Sequence, residues 1–347
     1  MTANARYAMD GICVVMMSAV GDAVHVLPVI NAIKRTHPSS RITWVLQPGP
    51  ASLVRGHPAV DDIVTFDRTR GWRAFADVRR ELSRRRFDLL LDLQVYFKAG
   101  MVTALSGAPV RLGFDRARAR DLNWLFTNRR IPPSAVKHVQ DQYFEFLSEL
   151  KIPAEPVTWN LGPWPGERDW QHEWVSGVTR PFAAIVVGSS KPAKDWIPER
   201  WAAVCDILDT SYGIQPVLVG GNTEREAGAA ARISASARRP PINALGSGLR
   251  RLVSILDASS LVLAPDTGPL HMAVALDRPV ISLIGYSDPR RTGPYRKFHD
   301  LIIDAYHEPG ENAPVSMETR ADRMQRIDVA DVAARLEVWS QRYRAKS

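Results

Sequence analysis

Cysteine is scarce in this chain of 347 residues, which has only Cys13 and Cys205. The two lie in different halves of the sequence among apolar neighbours, which excludes a disulfide framework and a cysteine-based metal site. We therefore predict two free, buried thiols. Long apolar runs are also missing, since no stretch reaches the length that crosses a bilayer. Residues 12–20 end at Gly21-Asp22 without a cleavage-type site, so they predict a strand and a cytoplasmic protein rather than a signal peptide.

Several motifs of nucleotide and nucleic-acid proteins are absent. No Gly-x-Gly-x-x-Gly follows the first apolar segment, and no Gly-Lys-Ser/Thr loop occurs. A dinucleotide oxidoreductase and a P-loop nucleotidase are therefore poorly supported. The sequence also has no zinc spacing and no recognisable DNA- or RNA-binding motif. We expect no nucleic-acid partner.

Basic residues are in excess, with 45 Lys and Arg against 37 Asp and Glu, a net charge of +8. Residues 84–86 are three arginines, and residues 111–137 hold seven basic side chains and two acidic ones. Such a patch suits an anionic membrane surface or an acidic substrate, and it is equally typical of a solvated surface. Composition alone leaves these alternatives open.

The alternation of apolar strands and amphipathic helices predicts an α/β protein of two doubly wound Rossmann-like domains, facing a central cleft that would bind the ligand. We place the domains at residues 1–160 and 170–347, with a proline-rich linker at 152–169. A terminal helix at 329–343 closes the chain. We assign it to the second domain, with packing on the first domain as the alternative. Strands are predicted near residues 11–17, 41–46, 62–66, 87–93, 182–188, 215–220, 242–245, 261–264 and 280–284. Helices are predicted near residues 23–36, 49–56, 72–84, 98–106, 138–150, 198–211, 224–236, 249–258 and 270–276.

The segment 264–285 is the most informative part of the chain. A strand runs into Asp266-Thr267-Gly268, then a helix carrying His271, then a second buried strand, which is the pattern of a βαβ unit. Backbone N–H groups at such a helix start attract phosphate or diphosphate. The alternative is that Asp266 or Thr267 only caps the helix.

The first strand ends similarly, at Gly21-Asp22 followed by a helix with His25. Gly21 would allow a tight turn, and Asp22 at the helix start could accept a proton from an incoming hydroxyl. The alternatives are that Asp22 caps the helix and that His25 is a buried, satisfied histidine. Pro28 inside the helical pattern predicts a kink or a shortened first turn.

Polar side chains also follow two strands of the second half. Ser189 and Ser190 with Lys191 and Lys194 form a plausible diphosphate cradle, although each lysine could equally face solvent. Glu224 follows the next strand and could bind a ribose or simply favour the helix start.

Taken together, these motifs resemble the bacterial ADP-heptose:lipopolysaccharide heptosyltransferase family, inverting glycosyltransferases of the two-Rossmann GT-B architecture. The resemblance runs nearly end to end. Its motifs are Gly21-Asp22-Ala23-Val24-His25 with Leu27-Pro28, Asp92-Leu93-Gln94 with Lys98, Arg111-Leu112-Gly113-Phe114, Ser189-Ser190 with Lys194 and Trp196, and Asp266-Thr267-Gly268-Pro269-Leu270-His271 with Gly285 and Gly293-Pro294.

The resemblance implies roles for these residues. Asp22 corresponds to the general base and Lys194 to the lysine that binds the donor phosphate. The implied donor-binding residues are Ser189, Ser190, Lys194, Glu224, Asp266, Thr267, Gly268 and His271. Glu226 is the alternative to Glu224 as the residue that contacts the nucleoside. The acceptor candidates are His25, Lys98, Arg111 and Arg120.

The implied function is heptose transfer from ADP-heptose to the lipopolysaccharide core (lipid A–Kdo), with peripheral contact to the inner membrane and no cofactor. The lack of an Asp-x-Asp motif agrees with a metal-independent reaction. Two alternatives remain: the same donor with a protein or another surface glycan as acceptor, and a non-catalytic protein that binds sugar nucleotides. The lead-in Met16–Val20 and the extra residue spacing at Pro192-Ala193 depart from the family pattern.

Overall fold

The computed structural model describes residues 7–344, which divide into two compact units. The first unit contains the chain up to Ala135 together with Val139–Asn160, and the second contains Val136–His138 and the chain from Leu161 onwards. Both units are built from parallel strands that alternate with helices. The prediction of two doubly wound α/β domains is therefore confirmed.

The first unit contains one six-stranded sheet in the order β3-β2-β1-β4-β5-β6, with every neighbouring pair parallel. Its central strands are apolar on both faces, as a sheet covered by helices on both sides requires. Its strands are β1 Gly11–Val15, β2 Arg41–Leu46, β3 Asp62–Thr65, β4 Leu89–Asp92, β5 Val110–Gly113 and β6 Arg129–Arg130. Its helices are α1 Val20–Thr36, α2 Pro48–Val54, α3 Trp72–Leu82, α4 Phe97–Leu105 and α5 Val139–Leu150.

The second unit repeats this arrangement in the order β12-β11-β10-β7-β8-β9. Its strands are β7 Phe182–Val186, β8 Gln215–Val219, β9 Ile242–Asn243, β10 Leu261–Pro265, β11 Val280–Ile284 and β12 Ile302–Asp304. Its helices are α6 Pro165–Ser176, α7 Pro198–Tyr212, α8 Glu224–Ser236, α9 Leu249–Ala258, α10 Gly268–Ala275, α11 Pro289–Thr292 and α12 Val329–Arg342. Short 3-10 turns occupy Arg68–Arg70, Asn123–Leu125, Pro192–Lys194, His299–Leu301 and Arg323–Arg326.

The strand order reverses once in each sheet, between β1 and β4 and between β7 and β10. Numbered within its own unit, each sheet has the order 3-2-1-4-5-6 of the doubly wound dinucleotide folds. Ligands of such sheets bind outside the carboxyl ends of the strands at this reversal. The topology therefore identifies one favoured ligand position in each unit.

Three local predictions were wrong. The strands β5, β6 and β12 were not predicted, because they are two to four residues long and lack a continuous apolar run. The expected linker at 152–169 overlaps helix α6, which begins at Pro165 where the Glu167 carboxylate accepts the Trp164 N–H. Helix α1 begins at Val20 rather than at Ala23, so Gly21 lies inside its first turn. As predicted, Pro28 lies inside this helical segment, and the helix continues past it to Thr36.

The terminal helix α12 belongs to the second unit. Its buried side chains Val332, Leu336 and Trp339 join the apolar core around Trp201 and Leu208. Helix α12 packs on α7 and on β11 and β12 at the edge of the second sheet. Among residues 7–344, no helix has both the length and the apolar character that crossing a membrane requires.

Candidate functional site

Asp22 lies beside the strand-order reversal of the first sheet, in the first turn of α1. Its Oδ2 accepts a hydrogen bond from the Ala19 N–H at 2.8 Å, and its Oδ1 accepts one from the Tyr143 hydroxyl at 3.3 Å. Asp22 is thus the third residue of the helix and reaches back to cap it. The side chain is half-buried. Both its capping role and a role as base are compatible with this geometry, because a carboxylate has several acceptor positions.

On the other side of the strand-order reversal, the side chain of Gln94, which follows β4, holds the loop before α1. The Gln94 side chain accepts the Met17 N–H at 3.0 Å and donates to the Ser18 carbonyl at 2.9 Å. Next to it, the buried Asp92 carboxylate accepts hydrogen bonds from Thr103 at 3.0 Å and Asn123 at 2.9 Å. Burial raises the pKa of Asp92 to about 7, while these hydrogen bonds favour its ionised form. Gln94 therefore holds the backbone that leads to Asp22, and Asp92 holds Gln94 in turn by accepting its N–H at 3.2 Å.

His25 and Arg111, two of the acceptor candidates, both have partners within the first unit. His25 is buried and its Nδ1 is 3.2 Å from the side-chain oxygen of Gln140, so its ring serves the packing of α1 on α5. The Arg111 guanidinium donates to the carbonyls of Phe126 and Ala108 at 2.8 and 3.0 Å. These bonds connect β5 with the segments before and after it.

Lys98 and Arg120, in contrast, are exposed. Lys98 is the second residue of α4, after the carboxyl end of β4. Arg120 is anchored near it by its backbone, whose N–H donates to the Val95 carbonyl at 2.7 Å. Both cations are therefore available to an anionic ligand at this edge of the sheet.

In the second unit, Lys194 and Asp266 meet at the reversal between β7 and β10. The Lys194 ammonium lies 2.7 Å from Asp266 Oδ2 and 3.1 Å from the Asp266 carbonyl oxygen. Asp266 is buried, whereas Lys194 is half-buried. An ammonium has three N–H donors, and Asp266 accepts two of them. Asp266 thus positions the lysine.

The other residues of the 266–271 motif surround this pair. Thr267 is the N-cap of α10 and Gly268 its first residue, so the N–H groups of that helix start beside the lysine. His271 Nε2 is 3.8 Å from Asp266 Oδ1, and the ring is buried behind the helix start. The cluster therefore combines one cation with the positive end of a helix.

Ser189 and Ser190 follow β7. The Ser189 N–H and hydroxyl both bond to Asp195, at 2.9 and 3.1 Å, which folds the loop back on itself. Arg225 pairs with that carboxylate and donates to the Ser189 carbonyl. Ser190 is exposed. The structure therefore uses Ser189 to shape the loop and leaves Ser190 accessible to a ligand.

The two glutamates of α8 have different positions. Glu226 is buried and accepts the Gly221 N–H at 2.9 Å and the Thr223 hydroxyl at 2.7 Å, so it holds the β8–α8 loop. A Cβ on Gly188 would lie 2.7 Å from the Glu226 side chain, so this close approach requires glycine. Glu224 is exposed at the first position of the helix.

A cavity of about 350 Å³ lies between the end of β7 and the start of α8. Glu224, Glu226 and Arg225 line one side, and Gly188 and Trp196 line the other. This volume is in the range of small-molecule sites. The sequence did not identify Arg225 as a member of this region, because nothing in its helical pattern distinguishes it from a solvent-facing arginine.

Three polar residues of the β11–α11 segment were also missed. The Ser287 hydroxyl donates to Asp266, and the Thr292 hydroxyl donates to the same carboxylate at 3.1 Å. The ring of Tyr286 lies 5.5 Å from the Lys194 ammonium. A hydrogen bond with Thr319 and the charge of Lys191 lower the pKa of Tyr286. Their only sequence signal was their position after a buried strand.

No group of three or more potential metal ligands occurs in the part of the chain that the structure describes. The clusters at the two strand-order reversals consist instead of single carboxylates, hydroxyls and cations.

Comparison with known proteins agrees with this arrangement. Residues 75–319 match the model of glycosyltransferase family 9 (heptosyltransferase). The chain is 30% identical, over 87% of its length and 86% of the relative's, to the lipopolysaccharide core heptosyltransferase OpsX of Haemophilus influenzae. A family 9 glycosyltransferase structure from Veillonella parvula superimposes with a TM-score of 0.78 at 20% identity, covering 95% of this chain and 96% of that one. The E. coli heptosyltransferase WaaC with ADP-2-deoxy-2-fluoro heptose gives a TM-score of 0.71 at 20% identity, covering 94% and 99%. The chain belongs to glycosyltransferase family 9, the heptosyltransferases.

Proposed function

We propose that this enzyme transfers a heptose from ADP-heptose to the lipid A–Kdo inner core of lipopolysaccharide, with inversion at the anomeric carbon. The observation that carries the proposal is the Lys194–Asp266 pair beside the start of α10, at the strand-order reversal of the second sheet. The identity to OpsX, which is named a lipopolysaccharide core heptosyltransferase, supports the donor and acceptor classes. A nucleotide-sugar donor implies reaction in the cytoplasm, at the membrane face where a lipid-linked acceptor lies.

The donor is proposed to bind to the second unit. The nucleoside would occupy the cavity beside α8, where the exposed carboxylate of Glu224 can accept hydrogen bonds from ribose hydroxyls. The diphosphate would bind the third N–H of Lys194, the Ser190 hydroxyl and the N–H groups that begin α10. The WaaC structure with ADP-2-deoxy-2-fluoro heptose supports a donor of this chemistry.

The acceptor is proposed to bind to the first unit, with its reacting hydroxyl at Asp22. The Asp22 carboxylate would take the hydroxyl proton while the acceptor oxygen forms a bond to the anomeric carbon. The bonds from Ala19 and Tyr143 would fix the orientation of that carboxylate. Lys98 and Arg120 would bind phosphate or carboxylate groups of the acceptor.

As the new bond forms, the bond from the anomeric carbon to the diphosphate oxygen breaks and its electron pair leaves with ADP. Negative charge then grows on the diphosphate, where Lys194 and the start of α10 would stabilise it. This positive charge is proposed to act in place of a metal ion. We therefore expect turnover in the presence of EDTA.

The general base is tested by turnover of ADP-heptose with a lipid A–Kdo acceptor. The Asp22→Asn variant is expected to lose about 10²- to 10⁴-fold in kcat, while its amide oxygen can still accept the Ala19 N–H. Asp331→Asn is the matched control, because Asp331 is also the third residue of a helix and caps the Asp328 N–H at 2.9 Å. Equal rates of wild type and Asp22→Asn would refute the role of Asp22.

The acceptor is tested with a panel read by mass spectrometry. Lipid A–Kdo, a heptose-extended core and a protein extract are each incubated with ADP-heptose. Transfer to lipid A–Kdo is expected. Transfer to protein alone would refute the proposed acceptor while leaving the donor assignment intact.

A further inference from the structure

One aromatic ring of the second unit contacts both lysines of the loop between β7 and α7. The ammonium of Lys191 lies 5.1 Å from the centroid of the Tyr286 ring, and the ammonium of Lys194 lies 5.5 Å from it. Two ammonium groups repel each other, and the negatively polarised face of an aromatic ring attracts each of them. Tyr286 therefore gathers two cations at the strand-order reversal between β7 and β10.

Contacts with residues 319–320 fix the position of this ring. Tyr286 follows β11, and its carbonyl accepts the Arg320 N–H at 2.9 Å. Its hydroxyl is hydrogen-bonded to the Thr319 side chain, and the adjacent Ser287 forms an antiparallel bridge with the same threonine. A lysine stem is flexible, whereas a tyrosine ring held in this way is not. The ring therefore positions the lysines, and not the reverse.

The two lysines differ in their anionic partners. Lys194 is paired with the buried Asp266 at 2.7 Å, and Ser287 and Thr292 donate to the same carboxylate. Lys191 is exposed, and none of the carboxylates within residues 7–344 forms an ion pair with it. The charge of Lys191 is therefore available to an anionic ligand beside Lys194.

We propose that Tyr286 is a positioning residue for the diphosphate of the donor, because its ring holds Lys191 beside Lys194 as a second phosphate-binding cation. Lys194 would bind one phosphate and Lys191 the other. A nucleoside monophosphate can use only one of these cations, so the pair selects nucleoside diphosphates. This inference rests on the proposed function, since it requires that the diphosphate binds at Lys194.

The expected effects follow from the exposure of these groups. A cation–π contact at an exposed site strengthens an interaction about two- to fivefold, and an exposed ion pair contributes up to about fivefold. Lys191→Gln should therefore weaken ADP binding about fivefold and change AMP binding less than about twofold. Tyr286→Leu should weaken ADP binding about two- to fivefold. Asp266 still holds Lys194 in this variant, so the loss is carried by Lys191.

The test is calorimetric titration of the full chain with ADP and with AMP. The preference for ADP is measured as the ratio of the two dissociation constants. Tyr286→Phe keeps the ring, and Lys191→Arg keeps a cation that stacks on aromatic rings, so both should retain the preference of the wild type. Lys297→Gln is the matched control, because it removes a positive charge whose partner is Asp277 at 2.7 Å, and its ratio should equal that of the wild type.

Because Tyr286 acts through Lys191, the double variant Lys191→Gln/Tyr286→Leu should lose no more ADP affinity than Lys191→Gln alone. A purely structural Tyr286 would instead lower the Tm and weaken ADP and AMP binding equally in Tyr286→Leu, and this result would overturn the proposal. It is also overturned if Lys191→Gln keeps the ADP preference of the wild type, or if Tyr286→Phe loses as much as Tyr286→Leu. A wild type that binds no ADP would refute the proposed function itself.

Discussion

Replacing Lys194 by glutamine is expected to damage both stability and turnover, for different reasons. The ammonium pairs with the buried Asp266 carboxylate at 2.7 Å, and the same ammonium is proposed to stabilise charge on the departing diphosphate. A second substitution, Asp266→Asn, removes the carboxylate that would be left without its cation. The double variant therefore separates the structural role of the pair from its role in catalysis.

The magnitudes follow from the burial of the two side chains. Removing one partner of a fully buried ion pair costs about 3–5 kcal/mol. Lys194 retains 18% of its side-chain exposure, and Ser287 and Thr292 still donate to Asp266, so we expect about 1–3 kcal/mol for Lys194→Gln. For a unit of this size, that corresponds to a Tm lower by roughly 2–12 °C. The loss in kcat should be about 10²- to 10³-fold.

The assay combines thermal melting with turnover of ADP-heptose. In Lys194→Gln/Asp266→Asn, two neutral amides replace the ion pair, so the Tm should return at least halfway to that of the wild type. Turnover should stay as low as in the single variant, because no cation has been restored. Recovery of both quantities in the double variant, or an unchanged kcat in Lys194→Gln, would refute the proposed stabilisation of the leaving group by Lys194.

Three further results are expected. The pKa of Asp92 is about 7 in the folded chain and near 3.8 when unfolded, so the folded state binds its proton more tightly and stability falls as pH rises from about 4 through 7. The Tm of the wild type minus that of Asp92→Asn should therefore be more positive at about pH 5.5 than at about pH 8. The same value at both pH values would contradict this. Glu224→Gln should weaken ADP binding in calorimetry by about five- to tenfold and leave the Tm unchanged. Glu226→Gln should instead lower the free energy of unfolding by about 1–2 kcal/mol, with a matching fall in Tm. The reverse pattern would exchange the two roles. Burial raises the pKa of Cys205 to about 12 and raises that of Cys13 further, so a thiol reagent should label neither until the chain unfolds.

Much of the fold could be predicted because the central strands of both sheets are continuous apolar runs, which give an unambiguous signal. Edge strands give no such signal. β6 consists of two exposed arginines, and it is a strand only because β5 presents unpaired backbone groups beside it. Likewise, α1 begins three residues early because the Asp22 side chain caps the Ala19 N–H, an interaction that composition does not show.

The candidate site was predicted in part for the same physical reason. The sequence predicts that residues after buried strands lie at the carboxyl edge of a sheet. It does not predict which of these side chains contact each other from neighbouring strands. Lys194 and Asp266 are 72 residues apart along the chain, and their pairing depends on β7 lying next to β10. Ser287 joins them only because β11 lies beside β10. The sequence left the burial of His25 open, because that burial depends on α5, whose position against α1 the sequence does not specify.

The last helix has a consequence for genetics. Because Val332, Leu336 and Trp339 complete the apolar interior of the second unit, a premature stop codon just before Val329 would expose the far side of that interior. Such an allele would lose the fold of the whole second unit rather than a dispensable tail. A stop codon at this point should therefore produce the same phenotype as a null allele, through degradation of the protein and not through altered chemistry.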